Sequence, residues 1–246
     1  MRFSSDQIQK IEKEISNKVD GKTLFDEFSR GRYSTDASVY QIKPLGVVLP
    51  KDTNDVLNLM EYSQKNSIPL LARGGGSSQC GQTVGESVVL DYSKHQNKIL
   101  ELNVEEKYVW VQPGVVLDHL NSFLRPHGLW FPVDVSTSSR ATIGGMSANN
   151  SCGSRSLYYG NMVHNVLAIE AILDDGSIHT FDQINKNYLA TTNNQDRFYK
   201  IIDKFLHLRQ KVSKDIDENW PTTQRRVGGY NIDLIDPNGF NSSNLL

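Results

Sequence analysis

A chain of 246 residues, 38% hydrophobic and 22% charged, has room for one large domain or two lobes and the composition of an ordinary globular protein. A formal net charge of -2 argues against a general nucleic-acid or anionic-membrane surface. No apolar run approaches the roughly 20 residues that span a bilayer, and the charged stretch from Met1 to Asp20 does not fit a secretory signal, so a cytoplasmic location is expected.

Ile8, Ile11, Ile15 and Val19 recur at helical spacing and predict a lead-in helix over residues 6 to 19, ended by Gly21 and docked on something else. Arg30 to Asp36 is polar and turn-rich and reads as a loop, its two arginines being surface charges or an anion contact. Gly46 to Leu49 is a short apolar strand stopped by Pro50. Asp52 or Thr53 caps a helix in which Val56, Leu57, Met60 and Ser63 repeat, with Asn66 at its end and a strand from Ile68 to Ala72 beyond. Strand, helix and strand within about thirty residues form a βαβ unit with parallel strands. Ser87 to Asp91 adds another strand.

The pattern then changes. Lys98 to Leu102 and Tyr108 to Val111 alternate apolar and polar residues, predicting an antiparallel hairpin. After Pro113-Gly114, an amphipathic helix carries Val116, Leu120, Phe123 and Leu124 and ends near Pro126-His127-Gly128. A second hairpin joins Val166–Leu173 to Ser177–Phe181 across Asp174-Asp175-Gly176. Residues 196 to 212 form a helix with Phe198, Ile201, Ile202, Phe205 and Leu208 on one side. Parallel pieces followed by antiparallel ones predict an α+β fold in two lobes.

Two glycine-rich stretches stand out. Arg73-Gly74-Gly75-Gly76-Ser77-Ser78 leaves the carboxyl end of a parallel strand, where open α/β sheets bind ligands. Three glycines can form a flexible turn; they can also present successive amides as an anion nest, with Arg73 adding charge and the serines adding hydroxyls. A diphosphate is the natural guest of such a nest. The run matches neither the Walker loop nor the G-x-G-x-x-G fingerprint. The second stretch, from Phe131 to Ser154, is dense in small residues and hydroxyls; Gly144 and Gly145 allow close backbone approach, and Met146 to Asn150 are expected to begin a helix whose free amides face a ligand.

Cys80 and Cys152 are the only cysteines, too few for an iron–sulfur cluster or a four-thiolate zinc site, and each reads as a small loop residue. The histidines show no metal-binding spacing, so no metal site is expected. His164 reads as structural, and no catalytic residue is named.

Pro44-Leu45-Gly46-Val47-Val48-Leu49-Pro50, Arg73 to Ser78, Val111-Gln112-Pro113-Gly114-Val115 and Ala141-Thr142-Ile143-Gly144-Gly145-Met146-Ser147-Ala148-Asn149-Asn150 together resemble the vanillyl-alcohol-oxidase-type (PCMH-type) FAD-binding domain. Tyr159-Gly160 and Val166 to Gly176 continue the likeness. Phe28 to Ser38 and Arg225 to Asn231 are similar to the FAD-linked 2-hydroxyacid dehydrogenases, which oxidise D-lactate, D-2-hydroxyglutarate or glycolate. The resemblance spans about residues 25 to 240.

The resemblance implies residues 1–42 as a helical lead-in and loop and 43–246 as the FAD-binding domain, with lobe one about 43–95 and lobe two about 96–246. It implies that Arg73, Gly74, Gly75, Gly76, Ser77 and Ser78, helped by Gln82, hold the pyrophosphate. Pro132, Asp134, Ser138, Thr142, Ile143, Gly144, Gly145, Asn149 and Gly153 would line the flavin and ribityl side, and the Val166 backbone the adenine end. FAD is expected to be non-covalent. Some relatives attach it through a histidine in the glycine loop, where Ser77 stands here, and no histidine lies between Ile68 and His95.

Relatives continue past the position of Leu246 into a further sheet strand and a substrate cap, so the chain is expected to be a truncated N-terminal portion. On that reading the intact enzyme passes hydride from a small 2-hydroxyacid to FAD, and this chain alone is inactive. A C-terminal cap or an iron–sulfur partner chain is the expected macromolecular partner, with any iron–sulfur cluster outside this chain and any membrane association peripheral. Two alternatives stay open: a non-catalytic FAD-carrying subunit, and another oxidase or reductase of the superfamily.

Overall fold

The computed structural model describes residues 3–185, 188, 195–223, 225–226 and 229–245; Val227 and Gly228 of the Arg225–Asn231 motif, and Leu246, lie outside the described residues. The chain divides into two compact units, Met1–Phe131 with Val135–Met146, and Pro132–Asp134 with Ser147–Leu246.

In the first unit, α1 (Ser5–Ser16) opens with a reciprocal cap: the Gln7 amide donates to the Ser4 hydroxyl and the Ser4 amide to the Gln7 side chain. Its apolar stripe Ile8, Ile11 and Ile15 is buried as the spacing predicts. The helix stops at Asn17, before Gly21. Gly21 serves a different need, because a Cβ there would strike the Leu49 carbonyl. The lead-in continues into an unanticipated edge strand, β1 (Lys22–Leu24), antiparallel to β2 (Gly46–Leu49).

The expected loop at Arg30 begins as a helix, α2 (Glu27–Arg32), capped by the Asp26 carboxylate. Arg30 is not a surface charge: it is 4% exposed, donates to the Pro44 carbonyl at 2.8 Å and pairs with the Glu27 carboxylate at 2.9 Å. Those partners are what allow a guanidinium to be buried.

α3 (Thr53–Asn66) is capped by Asp52, as predicted, and closes at Ser67 in the left-handed region. Its buried face is Asp55, Val56, Leu59 and Tyr62; Leu57, Met60 and Ser63 are only half-buried, so the core stripe is offset from the expected one. β3 (Leu70–Arg73) and β4 (Val88–Asp91) complete a sheet of order β1-β2-β4-β3. β2 and β3 run parallel as expected, but β4 lies between them and pairs with both. Val47, Val48, Val88 and Val89 are fully buried, which explains why these strands read as unbroken apolar runs.

The predicted hairpin forms from β5 (Ile99–Asn103) and β6 (Tyr108–Val111). α4 (Leu117–Leu124) buries Leu117, Leu120 and Leu124, whereas Val116 precedes the helix and Phe123 is exposed. Val115, Leu120 and Leu124 make a core with Ile99, Leu102, Val109 and Val111, so the hairpin and helix share one apolar layer.

α5 (Ile143–Ala148) is followed in the second unit by α6 (Ser156–Tyr159). The second predicted hairpin is β7 (Ile169–Ile172) with β8 (Ile178–Phe181), its turn carrying Gly176 at φ 83°. Val166 lies ahead of the strand rather than in it. β9 (Gln183–Asn185) pairs antiparallel with β10 (Gly239–Asn241), a contact between short segments that carry no strand signal of their own. α7 (Arg197–Lys211) is capped by Asp196 and buries Phe198 and Ile202, with Leu208 exposed, and α8 (Ser213–Asn219) follows. Phe181, Ile184, Phe198, Ile202, Ile235, Phe240 and Leu245 form this unit's core. Ser242–Leu245 make a 3-10 turn. The fold is α+β, and among the described residues its antiparallel strands outside the first sheet form three separate two-stranded pairs.

Asp55 joins the lead-in to this framework. It is 3% exposed, and its carboxylate accepts the amides of Asp20 at 2.7 Å, Gly21 at 2.9 Å and Lys51 at 2.7 Å. Asp55→Ala would leave three amides without an acceptor, an expected loss of about 2–4 kcal/mol. Urea unfolding midpoints of the two proteins check it; equal midpoints would refute the assignment.

Candidate functional site

The first unit brings the two glycine-rich stretches together. Residues 141–144 run along 113–117: Leu117 donates to the Ala141 carbonyl at 3.0 Å, Ile143 to Val115 at 2.8 Å and Gly144 to Pro113 at 2.9 Å. The Gly144 amide is thus already engaged, and α5 begins at Ile143, earlier than expected, so both glycines lie in its first turn. The glycine turn after β3 packs on this ribbon. A Cβ on Gly74 would strike the Thr142 hydroxyl, and one on Gly75 the Arg140 carbonyl. The approach therefore requires glycine at both positions.

Thr142 is 2% exposed, and its hydroxyl is buried without a hydrogen-bond partner among the described residues. A Cβ on Gly145 would lie 3.1 Å from the same oxygen. Gly74, Gly145 and Thr142 thus form a cradle with one unmatched hydroxyl, and an unmatched buried polar atom calls for an explanation such as a ligand. Gly76 takes φ 64°, in the left-handed region. Ser78 bonds the Gln82 side chain, and the Cys80 amide donates to the Ser78 hydroxyl at 3.2 Å, so the outer limb of the turn closes on itself. Cys80 itself is exposed. Ser77 continues the turn, and the Ser138 carbonyl accepts the amide of Asp118 in the first turn of α4 at 3.2 Å.

The second unit holds Pro132, Asp134, Asn149, Gly153 and Val166. A Cβ on Gly153 would overlap the Asp134 carbonyl and carboxylate. That carboxylate accepts the Ser154 hydroxyl at 2.6 Å and the Arg155 amide at 2.9 Å. Burial raises its pKa, but the bonds from Ser154 and Arg155 outweigh that and hold it below the ordinary value. Asn149 donates to Ser151 at 3.0 Å, and the Val166 carbonyl accepts Asn241 at 3.1 Å. His164 Nδ1 accepts the Asn161 amide at 3.0 Å, which engages one ring nitrogen in a local cap. Asn150, at φ 43°, accepts the Val163 amide at 3.0 Å and bonds Asn231 at 3.3 Å. Asn161 and Asn241 carried no motif, because their partners lie in other segments.

A family model described as an FAD binding domain matches residues 44–182. The chain belongs to this FAD-binding domain family. It is 36% identical over 229 residues to D-2-hydroxyglutarate dehydrogenase of Haemophilus influenzae, covering 87% of this chain and 22% of that protein. It is 35% identical over 175 residues to glycolate oxidase subunit GlcD of Bacillus subtilis, covering 70% of this chain and 37% of that one. The chain thus spans about a fifth of the length of the curated D-2-hydroxyglutarate dehydrogenases it matches. Among solved structures, alkyldihydroxyacetonephosphate synthase superimposes with a TM-score of 0.61 at 20% identity, covering 73% of this chain and 35% of that one. That likeness concerns the fold.

The residues present fit FAD: the cradle excludes any Cβ at Gly74 and Gly75 and leaves the Thr142 hydroxyl unmatched. No helix among the described residues is long and apolar enough to cross a membrane, and no group of three or more potential metal ligands gathers among them.

Asp134 gives a pH dependence. Its folded-state pKa lies below the ordinary 3.8, so its stabilisation is fully present above that value and is lost as pH falls through the folded-state value. Melting temperatures should show Asp134→Asn least stable relative to the parent near neutrality, with the gap closing in acid. A gap that does not change with pH would contradict it.

Proposed function

We propose that this chain is the flavin-holding part of an FAD-dependent oxidoreductase acting on a 2-hydroxyacid, with D-2-hydroxyglutarate the first substrate to test. The single observation that carries the flavin reading is the glycine cradle at Gly74 and Gly75 with its unmatched Thr142 hydroxyl. The substrate class is supported by the relatives named D-2-hydroxyglutarate dehydrogenase and glycolate oxidase subunit.

Gly74, Gly75, Gly76, Ser77 and Ser78 with Gln82 are proposed to hold the pyrophosphate through backbone and hydroxyl donors. Pro132, Asp134, Ser138, Thr142 to Gly145, Asn149 and Gly153 are proposed for the flavin and ribityl side, and the Val166 backbone for the adenine end. Asp134, held by Ser154 and Arg155, fixes the local backbone around Gly153. Bound, FAD supplies the hydride-accepting chemistry that no side chain can. It is held without a covalent bond, because Ser77 has no imidazole nitrogen to attack the ring methyl.

A second reading, a flavin-carrying unit that works with another chain, is supported by the relative named glycolate oxidase subunit GlcD. A substrate cap or an iron–sulfur protein is the proposed partner, and the assembly is proposed to be cytoplasmic or peripheral to a membrane.

Purified protein should carry a flavin spectrum, and guanidinium should release the colour as free FAD. Gly75→Val should displace the Arg140 stretch and lose the flavin, since a branched side chain would occupy the Arg140 carbonyl's place. Parental FAD affinity in the folded variant would overturn the cradle assignment. The chain by itself should reduce no dye with D-2-hydroxyglutarate, D-lactate or glycolate; steady turnover would place the substrate-binding groups within these 246 residues.

A further inference from the structure

Arg73 is the last residue of β3, opposite Asp91 in register, and leads directly into Gly74. Its guanidinium lies over the Tyr33 ring, 5.3 Å from the centroid. One terminal nitrogen donates to the Thr35 carbonyl at 2.9 Å and the other to the Thr83 carbonyl at 3.0 Å. Those carbonyls belong to stretches 48 residues apart in sequence (83 minus 35), and the glycine turn runs between Arg73 and Thr83. Asp36 completes the frame by accepting the Thr83 hydroxyl at 3.0 Å, while Ala37 donates to the Gly76 carbonyl at 3.2 Å. A Cβ on Gly76 would lie 2.9 Å from the guanidinium carbon, so the flat cation packs directly against the third glycine.

Tyr33 donates to the Asp91 carboxylate at 2.6 Å, and the other Asp91 oxygen accepts the Ser93 amide at 2.8 Å. Burial first, and the Asp91 carboxylate second, push the Tyr33 phenol well above its ordinary value, so it remains a donor at working pH. Burial lowers the Arg73 pKa, opposed in part by Asp91, Tyr33 and Asp36. A guanidinium whose two terminal nitrogens each hold a carbonyl, one before the glycine turn and one after it, ties the two sides of that turn together.

We infer that Arg73 is a positioning residue: with Tyr33 and Asp91 it holds the turn at residues 74–76 in the shape that receives an anion, without touching the anion itself. The inference rests on reading that turn as the pyrophosphate cradle. It assigns a part in cofactor affinity to Tyr33 and Asp36, which the likeness over Phe28 to Ser38 left without a role, and to Asp91.

Arg73→Lys is the discriminating change. Lysine keeps the charge but presents one compact ammonium, which cannot reproduce a planar fork to two carbonyls. FAD affinity, measured by flavin fluorescence at low and high salt, should weaken by about tenfold or more in Arg73→Lys while keeping the parent's salt dependence. Tyr33→Phe should weaken binding in the same direction. Hydrogen exchange at the amides of residues 74–83 should quicken in both ligand-free variants. Parental affinity in Arg73→Lys, or a shallower salt dependence, would overturn the inference in favour of a direct charge contact. If Arg73→Lys does not fold, Tyr33→Phe decides by the same two readouts. If the parent protein binds no FAD, the cradle reading fails by itself, and unchanged amide exchange in the variants would separately refute the positioning role.

Discussion

The first unit depends on one close approach: Gly74 and Gly75 lie against Arg140 and Thr142 so tightly that neither position has room for a Cβ. Such contact brings two backbones together with nothing but main-chain atoms and one hydroxyl at the seam. Everything around it serves to fix the two partners. β3 delivers the glycine turn from the edge of a sheet whose central valines are fully buried. The ribbon at 141–144 is fixed by its hydrogen bonds to 113–117, and α4, which follows 113–117, is anchored by the shared core with β5 and β6. Moving either side by an ångström would open the seam or force a clash, because packed interiors do not deform smoothly.

Buried charge acts as a second set of ties. Asp55, Arg30 and Asp91 are each nearly fully buried, and each is met by hydrogen-bond partners: three amides for Asp55, the Pro44 carbonyl and Glu27 for Arg30, and Tyr33 and Ser93 for Asp91. A buried ion without such partners would cost several kcal/mol. With them, it joins segments that apolar packing alone would leave free to slide. Asp55 attaches the lead-in at Asp20 and Gly21 to α3, and Arg30 attaches α2 to the approach of β2.

In the second unit the comparable work falls to asparagine side chains. Asn150 links Val163 and Asn231, Asn161 reaches the Arg226 carbonyl at 3.0 Å, and Asn241 reaches the carbonyls at Val166 and Leu167. An amide side chain both donates and accepts, so it can satisfy irregular backbone where no ladder is available. The irregular segment from 147 to 165 is therefore held by side-chain hydrogen bonds.

The sequence by itself determined the local elements. Strands β2, β4 and β6, the Asp52 cap and the Asp174-Asp175-Gly176 turn all arise from neighbours within a few residues, and the structure has them where the pattern places them. The two glycine stretches were visible for the same reason, since composition alone marks a backbone without side chains. Tertiary structure decided what those elements meet. β4 entering between β2 and β3, the β9–β10 pairing and the burial of Arg30 depend on contacts between distant segments. The offset stripe on α3 arose because Asp55, polar by composition, faces inward toward three amides. Arg73 is a further case: next to three glycines its charge reads as a ligand contact, and the fold adds that its two terminal nitrogens hold the carbonyls of Thr35 and Thr83. Sequence states which groups a residue carries; only the fold states which partners have already claimed them.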